Sequence, residues 1–197
     1  GLVRKPMYVV PNHMLGQFTK EFYEQYPTAR IMVADERQFH TDRRKQFIAN
    51  VAANDLDAVI ITHSSFGYIP MSNEFTTRMV KERVDEFRDI LRELKSEGGA
   101  GDRFTQRNIE KQIENLEQKL SGKGKGKKRD QVFTFEEMGV DFLFIDEAHL
   151  FRKLDFATKM NNVRGIDPKG SDMSFDLFAK TRYLESINPM RSHVMAS

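Results

Sequence analysis

Two adjacent carboxylates close an apolar run in Phe142-Leu143-Phe144-Ile145-Asp146-Glu147-Ala148-His149, and they are the residues of this 197-residue chain best placed for chemistry. An aspartate directly after a buried strand can hold Mg²⁺, usually through water, beside the β- and γ-phosphates of a nucleotide. A glutamate next to it can polarise the attacking water. The plainer reading of such a pair is a helix N-cap, where a side-chain oxygen satisfies free backbone N–H groups. Two further polar clusters also follow apolar runs. Asn12, His13 and Gln17 come after Met7–Val10, and Thr62, His63 and Ser64 after Ala58–Ile61. Groups of these types donate to nucleic-acid phosphates. Ordinary turn chemistry uses them too, and Asn12 could serve as no more than an N-cap.

A series of strands and helices must position these clusters. Met7–Val10, Ile31–Ala34, Ala58–Ile61, Phe142–Ile145 and His193–Ala196 are short, mainly apolar runs, each read as a strand. Pro11-Asn12 stops the first of them. Met14, Leu15, Phe18 and Phe22 then recur at helical spacing through about Tyr26. A second helix runs from about Thr41, a suitable N-cap, with Phe47, Ile48 and Val51 on one face. Thr62-His63-Ser64-Ser65 reads as a polar turn, and a helix near 174–187 points Phe178, Leu184 and Ile187 at the core. Continuous apolar strands alternating with helices predict an α/β fold, a parallel sheet covered on both faces. Ligands of such sheets bind at the carboxyl ends of the strands, which is where all three polar clusters fall.

One region breaks the alternation. Val80, Val84, Phe87, Leu91 and Leu94 mark one helical stripe, and Ile109, Ile113, Leu116 and Leu120 a second, with Glu97-Gly98-Gly99-Ala100-Gly101 between them. This predicts an antiparallel helical hairpin, resembling a short coiled coil, inserted between two strands. Its stripes read as its own packing seam, with a partner-binding surface as the secondary reading. Lys123–Arg129 reads as a flexible basic linker. It has no interleaved aromatics, so a solvated loop and a phosphate-binding patch both remain open. The organisation is thus 1–75 and 131–197 for the two parts of the sheet domain, with 76–130 inserted.

The motifs also carry a resemblance. Asp146-Glu147-Ala148-His149 resembles the DEAH form of motif II in superfamily-two helicases and translocases. Val9-Val10-Pro11-Asn12-His13-Met14-Leu15-Gly16-Gln17-Phe18 is similar to motif Ia of their Swi/Snf-like branch. Ile61-Thr62-His63-Ser64-Ser65-Phe66 resembles that branch's later DNA-contacting turn, and Met195-Ala196-Ser197 looks like the opening of motif III. The match spans most of the chain outside the hairpin. Phage- and plasmid-borne proteins that join a helicase to a DNA methylase have similar segments, including the hairpin.

The resemblance implies a partial RecA-like first motor domain that uses ATP and Mg²⁺. Asp146 would hold Mg²⁺ through water, Glu147 would orient the attacking water, and His149 would lie by the nucleotide and couple its state to DNA. A partly buried histidine satisfying a turn is the alternative for His149. DNA would meet Asn12, His13, Gln17, Thr62, His63 and Ser64. Arg152 and Lys153 would join them, from Phe151-Arg152-Lys153-Leu154, which with Phe156–Met160 looks like the family's segment after motif II. Exposed cations beside a helix are also commonly mere solvating groups.

The family's phosphate-binding loop, Gly-x-x-x-x-Gly-Lys-Ser/Thr, is absent from this sequence. Gly122–Lys128 has the wrong glycine spacing, sets Lys128 in the Ser/Thr position and follows a helix, whereas that loop follows a strand and opens a helix. The expectation is a fragment, inactive alone, of a parent that couples ATP hydrolysis to movement on DNA. Its partners would be DNA and a second motor domain, and an open strand edge at His193–Ala196 invites self-association. The rival is a degenerate motor domain acting as a DNA- or protein-binding scaffold. A metal-dependent nuclease would need further carboxylates and a lysine at suitable spacing.

Composition sets the outer limits. Net charge is +2, so a nucleic-acid role must come from a local surface and not from bulk charge. No cysteine is present, which excludes disulfides and thiolate metal sites and agrees with a cytoplasmic setting. The five histidines (His13, His40, His63, His149, His193) include no pair at the i,i+4 spacing of a helical zinc site. No apolar run approaches the roughly 20 residues that span a bilayer.

Overall fold

The computed structural model describes residues 3–37, 39, 41–97, 102–120, 133–154, 170–189 and 191–197. Strand β1 (Pro6–Val10) leads through a 3-10 turn (Asn12–Met14) to α1 (Leu15–Gln25), β2 (Ile31–Ala34), α2 (Thr41–Ala53), β3 (Ala58–Thr62) and α3 (His63–Gly67). Helices α4 (Asn73–Glu97) and α5 (Asp102–Leu120) follow. A 3-10 turn (Glu136–Met138), β4 (Phe142–Ile145), a second 3-10 turn (Ala148–Phe151), α6 (Asp172–Ile187) and β5 (His193–Met195) complete the order. The chain divides into two compact units, residues 1–72, 131–152 and 176–197 in one, and 73–130 with 153–175 in the other.

The first unit holds a five-stranded, all-parallel sheet in the order β2-β3-β1-β4-β5, flanked by helices as in a partial RecA-like fold. Met7 and Val9 stand beside Val59 and Ile61 on one side and Leu143 and Ile145 on the other, all 0–1% exposed. On the opposite face the Tyr8 ring stacks on Phe144 at 4.7 Å, and Phe18 and Phe22 of α1 close on it at 5.5 Å each. Fully burying one aliphatic side chain is worth roughly 1.5–3 kcal/mol. Exposed ion pairs such as Lys20–Glu24 and Arg30–Asp55 contribute far less, because water screens them. The apolar rows therefore fix the register, since a slip of one residue would turn the Met7–Val9 row outward.

Four expectations change in detail. Thr62–Ser65 is the start of a short helix, because the Thr62 side chain caps it. Ile187 ends α6 and is 47% exposed, whereas Leu184 is fully buried. The last strand stops at Met195, and Val194 and Met195 are about half exposed on β5, which among the described residues pairs with β4 alone. Helix α4 starts at Asn73, about two turns ahead of the Val80 stripe, with Phe75 and Met79 buried. The expected reversal at Gly98–Gly101, the basic linker Lys123–Arg129, Phe156–Met160 and the Leu120 side chain lie outside the described residues.

In the second unit α4 and α5 are antiparallel, since Arg88 pairs with Glu117 and the later Lys95 with the earlier Glu110. Val80, Val84, Phe87 and Leu94 interlock with Ile109 and Leu116, and Ile90, Leu91, Ile113 and Phe175 pack at the margin. Each helix covers the other's apolar stripe. Phe87→Ala should therefore cost about 3–5 kcal/mol, as large-to-small core changes do. Hydrogen exchange should show the loss on amides of both helices. An α5 that keeps wild-type protection would contradict the shared seam.

Candidate functional site

Strands β3, β1 and β4 lie side by side and end level with one another, Val10 opposite Thr62 and Val9 opposite Ile145. Register alone therefore brings the residues after each strand to one edge. The chain leaves β1 toward β2 and β3 on one side and later returns as β4 on the other, which is the kind of switch point where such sheets bind ligands.

The two carboxylates sit on a turn whose backbone is tightly held. The Asp146 N–H donates to the Val9 carbonyl at 2.9 Å, and the Asp146 carbonyl accepts the Nε2–H of His63 at 2.8 Å. Asp146 Oδ1 accepts the Glu147 N–H at 2.9 Å. The Ala148 N–H donates to the Ala196 carbonyl and the Ala196 N–H to the Ile145 carbonyl, each at 2.8 Å, so the chain after β5 clips the turn in place. Glu147 is at φ 51°, ψ 46°, the one positive-φ residue other than glycine among the described residues. That conformation costs a side chain with a Cβ roughly 1–2 kcal/mol, and strain of this kind gathers at functional turns. Its carboxylate stays half exposed, and Oε2 accepts Nδ1–H of His149 at 2.9 Å.

His63 is only 8% exposed, with its ring edge-on to Phe151 at 5.4 Å. Burial lowers its pKa below the usual 6.5, opposed in part by the Asp146 carbonyl and the nearby carboxylates. The neutral ring with its proton on Nε2 is the form this environment favours. Thr62, 1% exposed, accepts the Ser65 N–H at 3.2 Å and donates to Ser65 Oγ at 2.9 Å. Ser64 Oγ donates to Asn12 Oδ1 at 3.0 Å, tying the turn after β3 to the turn after β1.

The candidate residues thus separate by place. Asp146, Glu147, His149 and His63 form one hydrogen-bonded group, and Asn12 joins Ser64 on the outside. Thr62 and His63 turn inward, so of the post-β3 cluster only Ser64 offers its side chain at the surface. His13 is exposed beside Asn12. Gln17 is exposed one turn into α1, with Nε2 donating to Glu21. Arg152 and Lys153 are exposed after the Ala148–Phe151 turn.

Asp146 suits a Mg²⁺ held through water. Among the described residues no group of three or more His, Cys, Asp or Glu could cage a metal. Two features escaped the sequence reading. Ser65 is fully buried within the capped turn, and Lys180 is fully buried on α6, donating to the Phe66 carbonyl at 2.8 Å and pairing with Asp176. The second left a signal, because Lys180 falls three residues after Leu177 and four before Leu184 on the buried face, with an acid four residues ahead of it.

Residues 1–191 match the family model described as a probable helicase domain, and the chain belongs to that family. No curated protein and no solved structure matches it.

The site makes two predictions. Folding lowers the His63 pKa, so the unfolded chain binds the proton first as pH falls. The stability this contributes is complete above about 6.5, is lost as pH falls below that toward the folded pKa, and then levels off. Urea midpoints at pH 7.5 and pH 5.5 should therefore fall further for the wild type than for His63→Gln; equal drops would contradict the buried neutral ring. Glu147→Gly should raise stability by about 0.5–1 kcal/mol, the left-handed penalty less glycine's extra unfolded-state freedom. A less stable variant would show that the turn is not strained at Glu147.

Proposed function

We propose that this chain is the nucleotide-hydrolysing part of a DNA-dependent motor, the first RecA-like domain of a DEAH-box translocase or helicase of the Swi/Snf-like, methylase-associated type. Membership in the helicase-domain family supports the broad class. One observation carries the finer reading. The Asp146-Glu147 pair lies on a strained, fully tethered turn at the carboxyl ends of β1, β3 and β4, and His63 bonds that turn to the one presenting Ser64 and Asn12.

In this reading Asp146 would hold Mg²⁺ through water, which would supply neutralising charge for the ATP phosphates. Glu147 accepts a hydrogen bond from the attacking water and aims it. The His149 ring, donating to Glu147, registers any movement of that carboxylate. Asn12, His13, Gln17, Ser64, Arg152 and Lys153 meet the DNA backbone, while Thr62 and His63 act from inside the turn. ATP also needs a phosphate-binding loop, so this reading requires that such a loop and a second motor domain come from outside these residues. The half-exposed Val194 and Met195 on the β5 edge support strand pairing there, with a second copy when this chain is isolated.

The chain by itself should show no DNA-stimulated ATP turnover, because its sequence lacks the loop amides and lysine that cradle the triphosphate. In the parent, Glu147→Gln should retain ATP binding and slow hydrolysis by roughly 10²–10⁴-fold, the range for a positioned base. Asp146→Ala should weaken Mg-ATP binding as well. Near-normal turnover by the Glu147 variant would remove that residue from the mechanism.

A further inference from the structure

Lys180 has no exposed surface, and its ammonium is held at three points. It donates to the Phe66 carbonyl at 2.8 Å, pairs with Asp176 one helical turn earlier, and stands 3.9 Å from the centre of the Phe66 ring. The Phe135 ring lies 5.7 Å away on another side. Taking an ammonium and a carboxylate out of water is costly, and well-packed hydrocarbon of the same volume often serves stability as well or better. What hydrocarbon cannot supply is a charged donor, and here the donor meets a backbone oxygen of α3.

That helix has five residues, too few for its own hydrogen bonds to fix its direction. The Phe66 carbonyl takes the Ile69 N–H at 3.2 Å and the Lys180 ammonium as a second, charge-assisted donor. Three residues before Phe66 is His63, whose ring must reach the Asp146 carbonyl from the other end of the same short helix. A small swing of α3 would break that bond.

We propose that Lys180 is a positioning residue for the carboxylate turn: its buried ammonium anchors α3 at Phe66 and so holds His63 on Asp146. It acts through His63 and need not touch nucleotide or DNA. The use of the turn rests on the motor reading above, but the anchor itself does not. It also gives α6, which leads directly into β5, a rigid hold on the turn that presents Ser64.

The test is nuclear magnetic resonance of the chain with nitrogen-15 in its histidines and lysines, at neutral pH. In the wild type the His63 Nε2–H and the Lys180 ammonium should both give slowly exchanging signals. Lys180→Met alone strips Asp176 of its ammonium and can unfold the chain, so the informative variant is the double change Asp176→Leu with Lys180→Met, which removes both charges. It should unfold as cooperatively as the wild type yet exchange the His63 Nε2 proton at least tenfold faster. Lys180→Arg, which keeps a cationic donor, should restore most of the protection. An unchanged His63 exchange rate in the folded double variant would overturn the proposal. So would a wild-type Lys180 ammonium that exchanges as fast as surface lysines, a result that needs no variant. No nucleotide enters these measurements, so the anchor can fail while the motor reading stands, and the motor reading is tested separately by measurements that include nucleotide.

Discussion

The main chain of Asp146 is held from two sides, its N–H by the Val9 carbonyl of β1 and its carbonyl by the His63 ring at the end of β3. Everything proposed for the site depends on that double hold. A carboxylate that positions a hydrated ion contributes only if it is fixed before the ligand arrives, because ordering it afterwards would cost conformational entropy. Here the neighbouring strands β1 and β3 perform the ordering. The parallel register stops β1, β3 and β4 at one level, and the apolar rows beneath them make that register expensive to change. The core thus sets the geometry of a polar turn that itself contributes little to burial.

The same hold explains why the turn tolerates strain. Glu147 occupies a left-handed conformation that glycine would adopt more cheaply, and bonds on both sides keep it there: Ala148 to Ala196 and Glu147 N–H to Asp146. Its carboxylate is thereby kept half exposed, within reach of His149, instead of folding back as a helix cap. The plain N-cap reading of the acidic pair does not describe this turn, since no side-chain cap bond forms at the helical turn that follows. Meanwhile His63, buried and edge-on to Phe151, carries a contact between two strand ends that no backbone bond makes.

Much of this was legible in the sequence, and the reasons differ by element. The strands could be read because a central parallel strand is buried on both faces and so spells a continuous apolar run, as in Ala58–Ile61. The hairpin could be read because each helix repeats its apolar residues every three or four positions, from Val80 to Leu94 and from Ile109 to Leu116. Strand order was not legible, since nothing in a run such as Phe142–Ile145 names its neighbours. His63 looked like a surface donor because its partner is a backbone carbonyl 83 residues away, and backbone partners leave no trace in side-chain pattern. Lys180 was not singled out, because the ring and the carbonyl that hold it lie on another helix and only Asp176, four residues ahead, shows in the sequence. Ile187 kept the spacing of a core residue, but α6 ends there and its side chain leaves the packed face.

The central claim is that a nucleotide-bound metal sits at the carboxyl end of the sheet, over Asp146. His193 provides an internal control, because it opens β5 opposite Leu143 while Asp146 follows Ile145 at the other end of β4. Three residues of strand separate those ends by about 10 Å. With Mn²⁺ and a non-hydrolysable ATP analogue bound to the parent protein, paramagnetic broadening of the histidine ring signals measures which end holds the metal. The account predicts strong broadening of His63 and His149 and much weaker broadening of His193, all of it lost when unlabelled Mg²⁺ displaces the manganese. Broadening of His193 as strong as that of His63, or none at the His63 and His149 rings with the nucleotide bound, would contradict it.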